Sequence, residues 1–236
     1  MPQPAAQSTV VFIHGAGQDH RIWLFYSHWF AQHNVTVWAL DLPGHGASVE
    51  PLLASIEAMA QWLVDRLDAA HVQEAALIGY SMGSLVALEC AASYPERVTQ
   101  VALIGIAAPM AVADDLLDAA LHEPARAEAM IRAWSHGNRG EAPPPTPSAA
   151  AGVLHTDLLA CKTYTQGQRA AELAQCPALL IIGEADRMTS PRNAQRLAAR
   201  FKNARSVTLP DCGHAMLTES PDAILDALRE FVASRK

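Results

Sequence analysis

The chain has 236 residues, of which 50% are hydrophobic and 17% are charged, and its formal net charge is −7. This length and composition are typical of a globular protein with one large core or two small ones, and they exclude an intrinsically disordered chain. An acidic chain without a basic run lacks the electrostatic footprint of a nucleic-acid-binding protein and is poorly suited to anionic membranes. We therefore expect neither nucleic acid nor a membrane as a partner.

Targeting signals and metal-binding patterns are not visible in the sequence. Residues 1–7 have neither the charged start nor the apolar run of a secretory signal. The cysteines have no CxxC spacing, so they indicate reduced thiols of a cytoplasmic protein, and not a zinc site or a disulfide framework; they are Cys90, Cys161, Cys176 and Cys212. We expect no metal and no other cofactor, and the sequence specifies no oligomeric state.

Short β-branched runs alternate with longer stretches of helical periodicity. Several of the runs are apolar on both faces, which is typical of parallel strands covered by helices on each side. The pattern predicts an α/β fold in a single domain of residues 1–236, with an open, mostly parallel sheet of about six strands and helices on both faces. The predicted strands are 9–13, 35–40, 75–78, 98–104, 178–182 and 205–209, and the predicted helices include 56–67, 84–92, 193–201 and one that begins at Pro221.

Residues 107–175 interrupt this alternation because they contain no strong strand. A structureless loop of this length is uncommon in a compact domain, and residues 111–121 and 124–134 have helical character. We predict an inserted helical cap over residues 107–175, in which a few apolar side chains such as Met130, Trp134 and Leu158 face the site. The proline-rich residues 140–147 predict a mobile or extended connection.

A Gly-x-Ser-x-Gly pattern, Gly79-Tyr80-Ser81-Met82-Gly83, follows the third predicted strand and opens an apolar helix. The chain must turn sharply here, and the two glycines remove side chains that would collide in the turn. The hydroxyl of Ser81 is then exposed at a helix N-terminus, where free N–H groups favour negative charge. The pattern predicts that Ser81 is a nucleophile; a helix-capping serine in a glycine-rich turn is the alternative.

A serine hydroxyl needs a neighbouring base to take its proton. His214 follows the sixth predicted strand and Asp186 follows the fifth, so both are expected at the same sheet edge as Ser81. The chain order serine, aspartate, histidine is the known order for a site of this kind. We predict that His214 is the base and that Asp186 orients it, with Glu184 and then Asp211 as the alternatives for the orienting acid.

A carbonyl oxygen that becomes negative during hydrolysis requires hydrogen-bond donors, and two backbone N–H groups suffice. We predict that one comes from Met82, directly after the nucleophile. The second is expected from Ala16 in the loop His14-Gly15-Ala16-Gly17, where the glycines allow close approach of the backbone. His14 is predicted to hold this loop and not to take part in catalysis.

These motifs together resemble the α/β-hydrolase family over nearly the whole chain. The resemblance rests on residues 14–17, 41–48, 79–83, 183–186 and 213–214. It implies the α/β-hydrolase fold, a cap that lies over the active site at the position of residues 107–175, and a Ser–Asp–His site. The Asp-x-Pro-Gly-His-Gly-x-Ser stretch at 41–48 is a frequent structural turn in this family, so we assign it no catalytic role.

Two features depart from the pattern of this family. Many relatives have a glycine at the position of Ser84, and fuller members have two more strands before the first strand of this chain. Neither departure touches the predicted site. The serine at position 81 argues against the haloalkane dehalogenase and epoxide hydrolase branches, which use an aspartate there.

The predicted reaction is hydrolysis of a small or medium carboxylic ester, thioester or lactone through an acyl-enzyme. A lyase or a carbon–carbon bond hydrolase with the same residues is an alternative, because related chains with Gly-Tyr-Ser-Met-Gly include both. A ligand-binding protein with a vestigial site is the alternative from another class, because fold does not dictate function. The expected partner is a small-molecule acyl substrate.

Overall fold

The computed structural model describes residues 9–137 and 152–234. Six strands form one sheet in the order β2-β1-β3-β4-β5-β6, and every neighbouring pair is parallel. The predicted open parallel sheet is confirmed, and each strand lies within two residues of its predicted bounds. The strands are β1 (Thr9–Ile13), β2 (Thr36–Leu40), β3 (Ala75–Tyr80), β4 (Val98–Ile104), β5 (Ala178–Gly183) and β6 (Ala204–Leu209).

Ten α-helices lie in the described residues, together with two short 3-10 turns. Ser55 caps the longest of them, since its side chain accepts a hydrogen bond from the Ala58 N–H. The helices are α1 (Leu24–Gln32), α2 (Ile56–Ala69), α3 (Met82–Ser93), α4 (Asp114–His122), α5 (Pro124–Ser135), α6 (Val153–Thr163), α7 (Gly167–Leu173), α8 (Pro191–Ala198), α9 (Met216–Glu219) and α10 (Pro221–Ala233). None of the helices in these ranges combines the length and the apolar character needed to span a membrane.

The two faces of the sheet carry separate apolar layers because successive strand side chains point to opposite faces. In β1, Val11 and Ile13 pack in the layer that contains α2, α3, α7 and α8. Val10 and Phe12 of the same strand pack in the layer with α1, α9 and α10. Helices therefore cover both faces, as predicted, and the loops at the carboxyl ends of the strands are left to form a site.

The segment between β4 and β5 divides into two parts. Helices α4 and α5 and the start of α6 enclose their own apolar cluster, which includes Leu116, Ala127 and Leu158. The end of α6 and helix α7 pack instead on the sheet layer, where Cys161 and Ala171 are buried. The proline-rich residues 140–147, predicted as a connection, lie outside the described residues.

Candidate active site

Ser81 lies at the sharp turn between β3 and α3. Its backbone has φ 52° and ψ −116°, a conformation with positive φ that residues other than glycine rarely adopt. A Cβ atom on Gly79 would lie 2.2 Å from the Gly83 carbonyl oxygen, and one on Gly83 would lie 2.2 Å from the Ile13 carbonyl oxygen. Both glycines are therefore required by backbone contacts, which is the physical reason for the spacing around Ser81.

Ser84, which departs from the glycine that the family resemblance implies at this position, fits this turn through two hydrogen bonds. Its buried hydroxyl lies 2.7 Å from the carbonyl oxygen of Gly79 and 3.0 Å from that of Ile104. The side chain thus links the elbow to β4. The departure from the family's pattern leaves the geometry at Ser81 in place.

Three predicted side chains form one hydrogen-bonded line. The Ser81 Oγ atom is 2.9 Å from Nε2 of His214, and Nδ1 of His214 is 2.8 Å from Oδ2 of Asp186. An ionised carboxylate can only accept, so Nδ1–H donates to Asp186 and Nε2 is left to accept the serine proton. Ser81 follows β3, Asp186 follows β5 and His214 follows β6, so loops at the carboxyl-terminal edge of one sheet bring the three together.

Asp186 accepts hydrogen bonds from several other donors in addition to the imidazole. Its Oδ1 atom accepts the N–H groups of Met188 and Thr189, each at 2.8 Å, and its Oδ2 atom accepts the Thr189 hydroxyl at 2.6 Å. Burial raises the pKa of this carboxyl, but the electrostatic interaction and hydrogen bond with His214 and the bonds from Thr189 outweigh it, so the pKa lies below its ordinary value. Asp186 is therefore ionised and oriented. Thr189 was not among the residues predicted for this site.

The two alternative acids have other contacts. A Glu184 carboxylate oxygen accepts the backbone N–H of Asp211 at 3.1 Å, which stabilises the turn after β6. Asp211 occupies that turn with φ 56°. Within the described residues, neither side chain bonds to the imidazole, so Asp186 is the acid that the geometry favours.

Two residues that the sequence analysis missed position the His214 loop. The Tyr80 hydroxyl donates to the His214 carbonyl oxygen at 2.9 Å. The Glu219 carboxylate accepts the N–H of Gly213 at 2.6 Å and that of Gly137, after α5, at 2.8 Å. Tyr80 directly precedes Ser81, which is the available sequence signal; Glu219 has no signal of its own. The loop is thereby tied to the helical segment.

In the loop after β1, the backbone N–H groups on either side of Ala16 have side-chain acceptors. The N–H of Gly15 donates to the Gln18 side chain at 3.2 Å, and that of Gly17 donates to Asp157 at 2.8 Å. In residues 9–137 and 152–234 no acceptor is found for the N–H of Ala16 or for that of Met82. Neither N–H group is therefore used by a protein acceptor in these ranges, and their role as donors to a substrate oxygen stays a prediction.

His14 holds this loop as a neutral side chain. Its Nδ1–H donates to the carbonyl oxygen of Gly15 at 2.8 Å, and its Nε2 accepts the N–H of Leu42 at 3.1 Å. Burial, and then the nearby His45, lower the pKa of His14 from 6.5 to about 4. These contacts agree with the structural role predicted for His14.

A cavity of about 950 Å³ opens beside Ser81 and His214. This volume is within the range of small-molecule sites, which are largely apolar with a few polar groups. Trp134 and Leu158 line it as expected, whereas Met130 packs in the cluster between the helices. The other apolar side chains that line the cavity include Ile22, Phe25, Leu116, Ile131, Leu154 and Leu217.

One group of potential metal ligands lies in the described residues, formed by Asp19, His20 and Asp41. Arg21 binds Asp19 through its guanidinium group. The two oxygens of Asp41 accept from His20 at 2.8 Å and from the Ala47 N–H at 2.9 Å. Protein donors therefore account for these carboxylates, and the absence of a metal requirement stays a prediction.

Comparisons with known proteins agree with the fold. The profile described as "Alpha/beta hydrolase family" matches residues 10–227. A pimeloyl-[acyl-carrier protein] methyl ester esterase of Nitrosomonas europaea is 28% identical, over 90% of this chain and 91% of its own length. Esterase YbfF of Escherichia coli is 26% identical, over 95% and 93% of the two chains.

A solved structure extends the comparison to the fold. The enol-lactonase from Burkholderia xenovorans LB400 superposes with a TM-score of 0.83 at 22% identity, over 98% of this chain and 93% of the other. The match to the family profile covers nearly the whole chain. This chain is a member of the α/β hydrolase family of enzymes.

Proposed function

We propose that this α/β hydrolase cleaves a carboxylic ester, thioester or lactone bond with Ser81 as nucleophile, His214 as base and Asp186 as the residue that orients the base. The observation that carries the proposal is the hydrogen-bonded line from Asp186 through His214 to Ser81, which ends at a largely apolar cavity. A neutral Nε2 beside a serine hydroxyl is the arrangement that activates the oxygen for attack.

The proposed reaction assigns a group to each step. The Ser81 oxygen attacks the carbonyl carbon while its proton passes to Nε2 of His214, and the carbonyl oxygen becomes negative. The N–H groups of Ala16 and Met82 stabilise that oxygen. His214 then gives its proton to the leaving alcohol, thiol or ring oxygen. Water, activated by the same imidazole, hydrolyses the acyl-enzyme and restores the serine.

The cavity favours a small or medium, largely apolar acyl group. Its volume of about 950 Å³ and its apolar lining suit such a ligand. The relatives named as a methyl ester esterase and an esterase act on esters by their names, which supports the same bond class here. We infer that the segment of residues 107–175 provides the cap of the site: α4, α5 and the start of α6 form its apolar wall, and the end of α6 and α7 attach it to the sheet layer. We also infer a cytoplasmic location, because no disulfide joins the cysteines.

The test is hydrolysis of a panel of p-nitrophenyl esters from acetate to octanoate, together with aryl thioesters and lactones. Ser81→Ala should lower kcat by about 10⁴-fold or more and abolish labelling by a fluorophosphonate, since the nucleophile is gone. Ser93→Ala, on the exposed side of the same helix, is the matched control and should retain activity.

Three outcomes contradict the proposal in different ways. Comparable activity in Ser81→Ala would reject the nucleophile. Binding without turnover of any compound in the panel would favour a ligand-binding protein. Turnover of a carbon–carbon bond or an elimination with no ester hydrolysis would favour the alternative chemistries on the same residues.

A further inference from the structure

A second buried carboxylate–imidazole pair lies next to the loop that carries Ala16. The Nε2 atom of His45 is 2.8 Å from Oδ2 of Asp157, and the two side chains are 1% and 0% exposed. The Nδ1 atom of His45 is 3.0 Å from the carbonyl oxygen of Pro43, which can only accept a hydrogen bond. Nδ1 therefore carries a proton, and a further proton lies between Nε2 and the carboxylate.

Asp157 joins three segments that are far apart in the sequence. It lies in α6, and its Oδ2 atom accepts the N–H of Gly17 at 2.8 Å as well as the bond from His45. Gly17 adjoins Ala16 in the loop after β1, and His45 lies in the turn after β2. Gly17 has φ 65°, a conformation that favours glycine. The carboxylate thus fixes the backbone on one side of Ala16, in a turn that a side chain would strain.

The protonation of His45 depends on the neighbouring carboxylate of Asp157. Burial lowers the pKa of His45, but the hydrogen bond and charge of Asp157 outweigh it, so the pKa is raised. His14, with its ring centre 4.7 Å away, is neutral, and burial raises the pKa of the Cys161 thiol in α6. Asp41 also acts on this cluster, since its charge raises the pKa of His14 against the effect of burial.

One oxygen of Asp157 has no hydrogen bond to compensate its burial. Its Oδ1 atom has no partner in the described residues. A buried carboxylate is costly unless it is paired and hydrogen-bonded. The position of Asp157 therefore depends on the proton shared with His45 and on the Gly17 N–H.

We propose that Asp157 and His45 are positioning residues for the reaction: the pair holds Gly17 so that the N–H of Ala16 faces the reacting carbonyl oxygen. This inference rests on the proposed function. Neither side chain is among those that line the cavity, so the pair acts through the loop and does not touch the substrate. Asp157 shares α6 with Leu154 and Leu158, which do line the cavity, so the pair also joins the acyl-binding wall to the Ala16 loop.

The test variant is Asp157→Asn, which keeps the shape of the side chain and removes the charge that holds the His45 proton. We expect kcat for p-nitrophenyl butanoate to fall by about 10- to 100-fold, since deletion of a whole oxyanion donor costs about 10²- to 10³-fold. KM should stay within about twofold, because the substitution alters no side chain that lines the cavity. Asp114→Asn is the control, since that carboxylate is 94% exposed on α4, and it should behave as wild type.

A second measurement separates positioning from general loss of structure. A trifluoromethyl ketone forms a tetrahedral adduct with Ser81 whose oxyanion needs the same donors as the transition state. Its affinity for Asp157→Asn should fall by the same factor as kcat/KM, with enzyme concentrations taken from fluorophosphonate titration of competent sites. His45→Gln should show the same parallel loss and serves as the second variant if Asp157→Asn does not fold.

The outcomes distinguish this proposal from the proposed function. An active, Ser81-dependent wild type with an unaffected Asp157→Asn variant overturns the positioning role alone. So does a fall in kcat without weaker ketone binding, or a failure of both variants to fold, because the pair would then serve stability. A wild type without Ser81-dependent hydrolysis overturns both proposals.

Discussion

Two regions of the molecule contain a buried histidine bonded to an aspartate, and they differ at the second imidazole nitrogen. In the loops after β5 and β6, Asp186 lies 2.8 Å from His214, whose other nitrogen is 2.9 Å from the Ser81 hydroxyl. Between α6 and the turn after β2, Asp157 lies 2.8 Å from His45, whose other nitrogen faces a backbone carbonyl. The same pair of residue types therefore meets two different partners.

This difference decides what each pair can do. A hydroxyl can give up its proton, so an imidazole beside it can act as a base. A carbonyl oxygen only accepts a hydrogen bond, so the ring nitrogen that faces it must carry a proton. An imidazole in this arrangement links two parts of the chain and cannot act as a base at that nitrogen. His214 also borders the cavity, whereas His45 is sealed from it. An aspartate–histidine pair indicates catalysis only when the outer nitrogen faces a reacting group in an accessible site.

The largest expected effect is at the first pair. Asp186→Asn should lower kcat/KM for an activated ester by about 10⁴-fold, because an amide at this position favours the wrong tautomer of His214. Asp157→Asn should lose far less, since it displaces a donor and leaves the base intact. Comparison of the two variants in the same assay, with folding checked by circular dichroism, measures the difference between the regions.

Glu184→Gln is the matched control for Asp186→Asn. Glu184 is the neighbouring acid, and it bonds to the backbone of the turn and not to the imidazole. The activity of the Glu184→Gln variant should therefore stay within about twofold of wild type. Equal damage in the two variants would mean that Glu184 shares the orienting role.

The second prediction concerns two histidines in the sealed region, His14 and His45, whose pKa values shift in opposite directions. The pKa of His14 falls from 6.5 to about 4, because burial and then the neighbouring His45 disfavour a second positive charge. Between these values the unfolded chain binds more protons at His14 than the folded chain does, so stability is lost as the pH falls from about 6.5 towards 4. The full loss is about 3 kcal/mol.

Urea unfolding of wild type and His14→Gln, at about pH 7 and about pH 4.5, measures this contribution. The amide of glutamine can replace both hydrogen bonds of His14 but does not titrate. The wild type should therefore lose more free energy of unfolding than the variant over this interval. The same loss in both proteins would show that His14 keeps an ordinary pKa.

The smallest expected effect concerns the apolar wall of the cavity. Trp134→Ala enlarges the cavity beside Ser81, so the ratio of kcat/KM for octanoate to that for butanoate esters should rise about tenfold. Met130→Ala is the control, because Met130 packs between the helices and not against the cavity. It should lower the unfolding midpoint and leave the chain-length preference unchanged. A shifted preference in Met130→Ala alone would place the acyl group elsewhere.

Features with a local cause were predictable from the sequence. The strands follow from short β-branched runs, and the turn at Ser81 follows from glycines whose positions cannot hold a side chain. The candidates Asp186 and His214 could be placed at the edge of Ser81 because parallel strands carry their carboxyl-terminal loops to the same edge. The hydrophobic periodicity of the sequence and the positions of these residues after the predicted strands are enough to predict these features.

The tertiary structure decided what depends on contacts between distant segments. It distinguished Asp186 from the alternative acids Glu184 and Asp211, which lie in the loops after β5 and β6. Asp186 bonds to the imidazole of His214, whereas Glu184 accepts the backbone N–H of Asp211. In the structure, Met130 packs between the helices instead of lining the cavity, and α7 packs on the sheet layer. Helical periodicity predicts which face of a helix is apolar, but it does not predict what that face packs against. The tertiary structure also joined Asp157 to His45, which are 112 residues apart. A polar side chain in an apolar helix finds its partner only when the chain is packed, so the sequence alone could not show this pair.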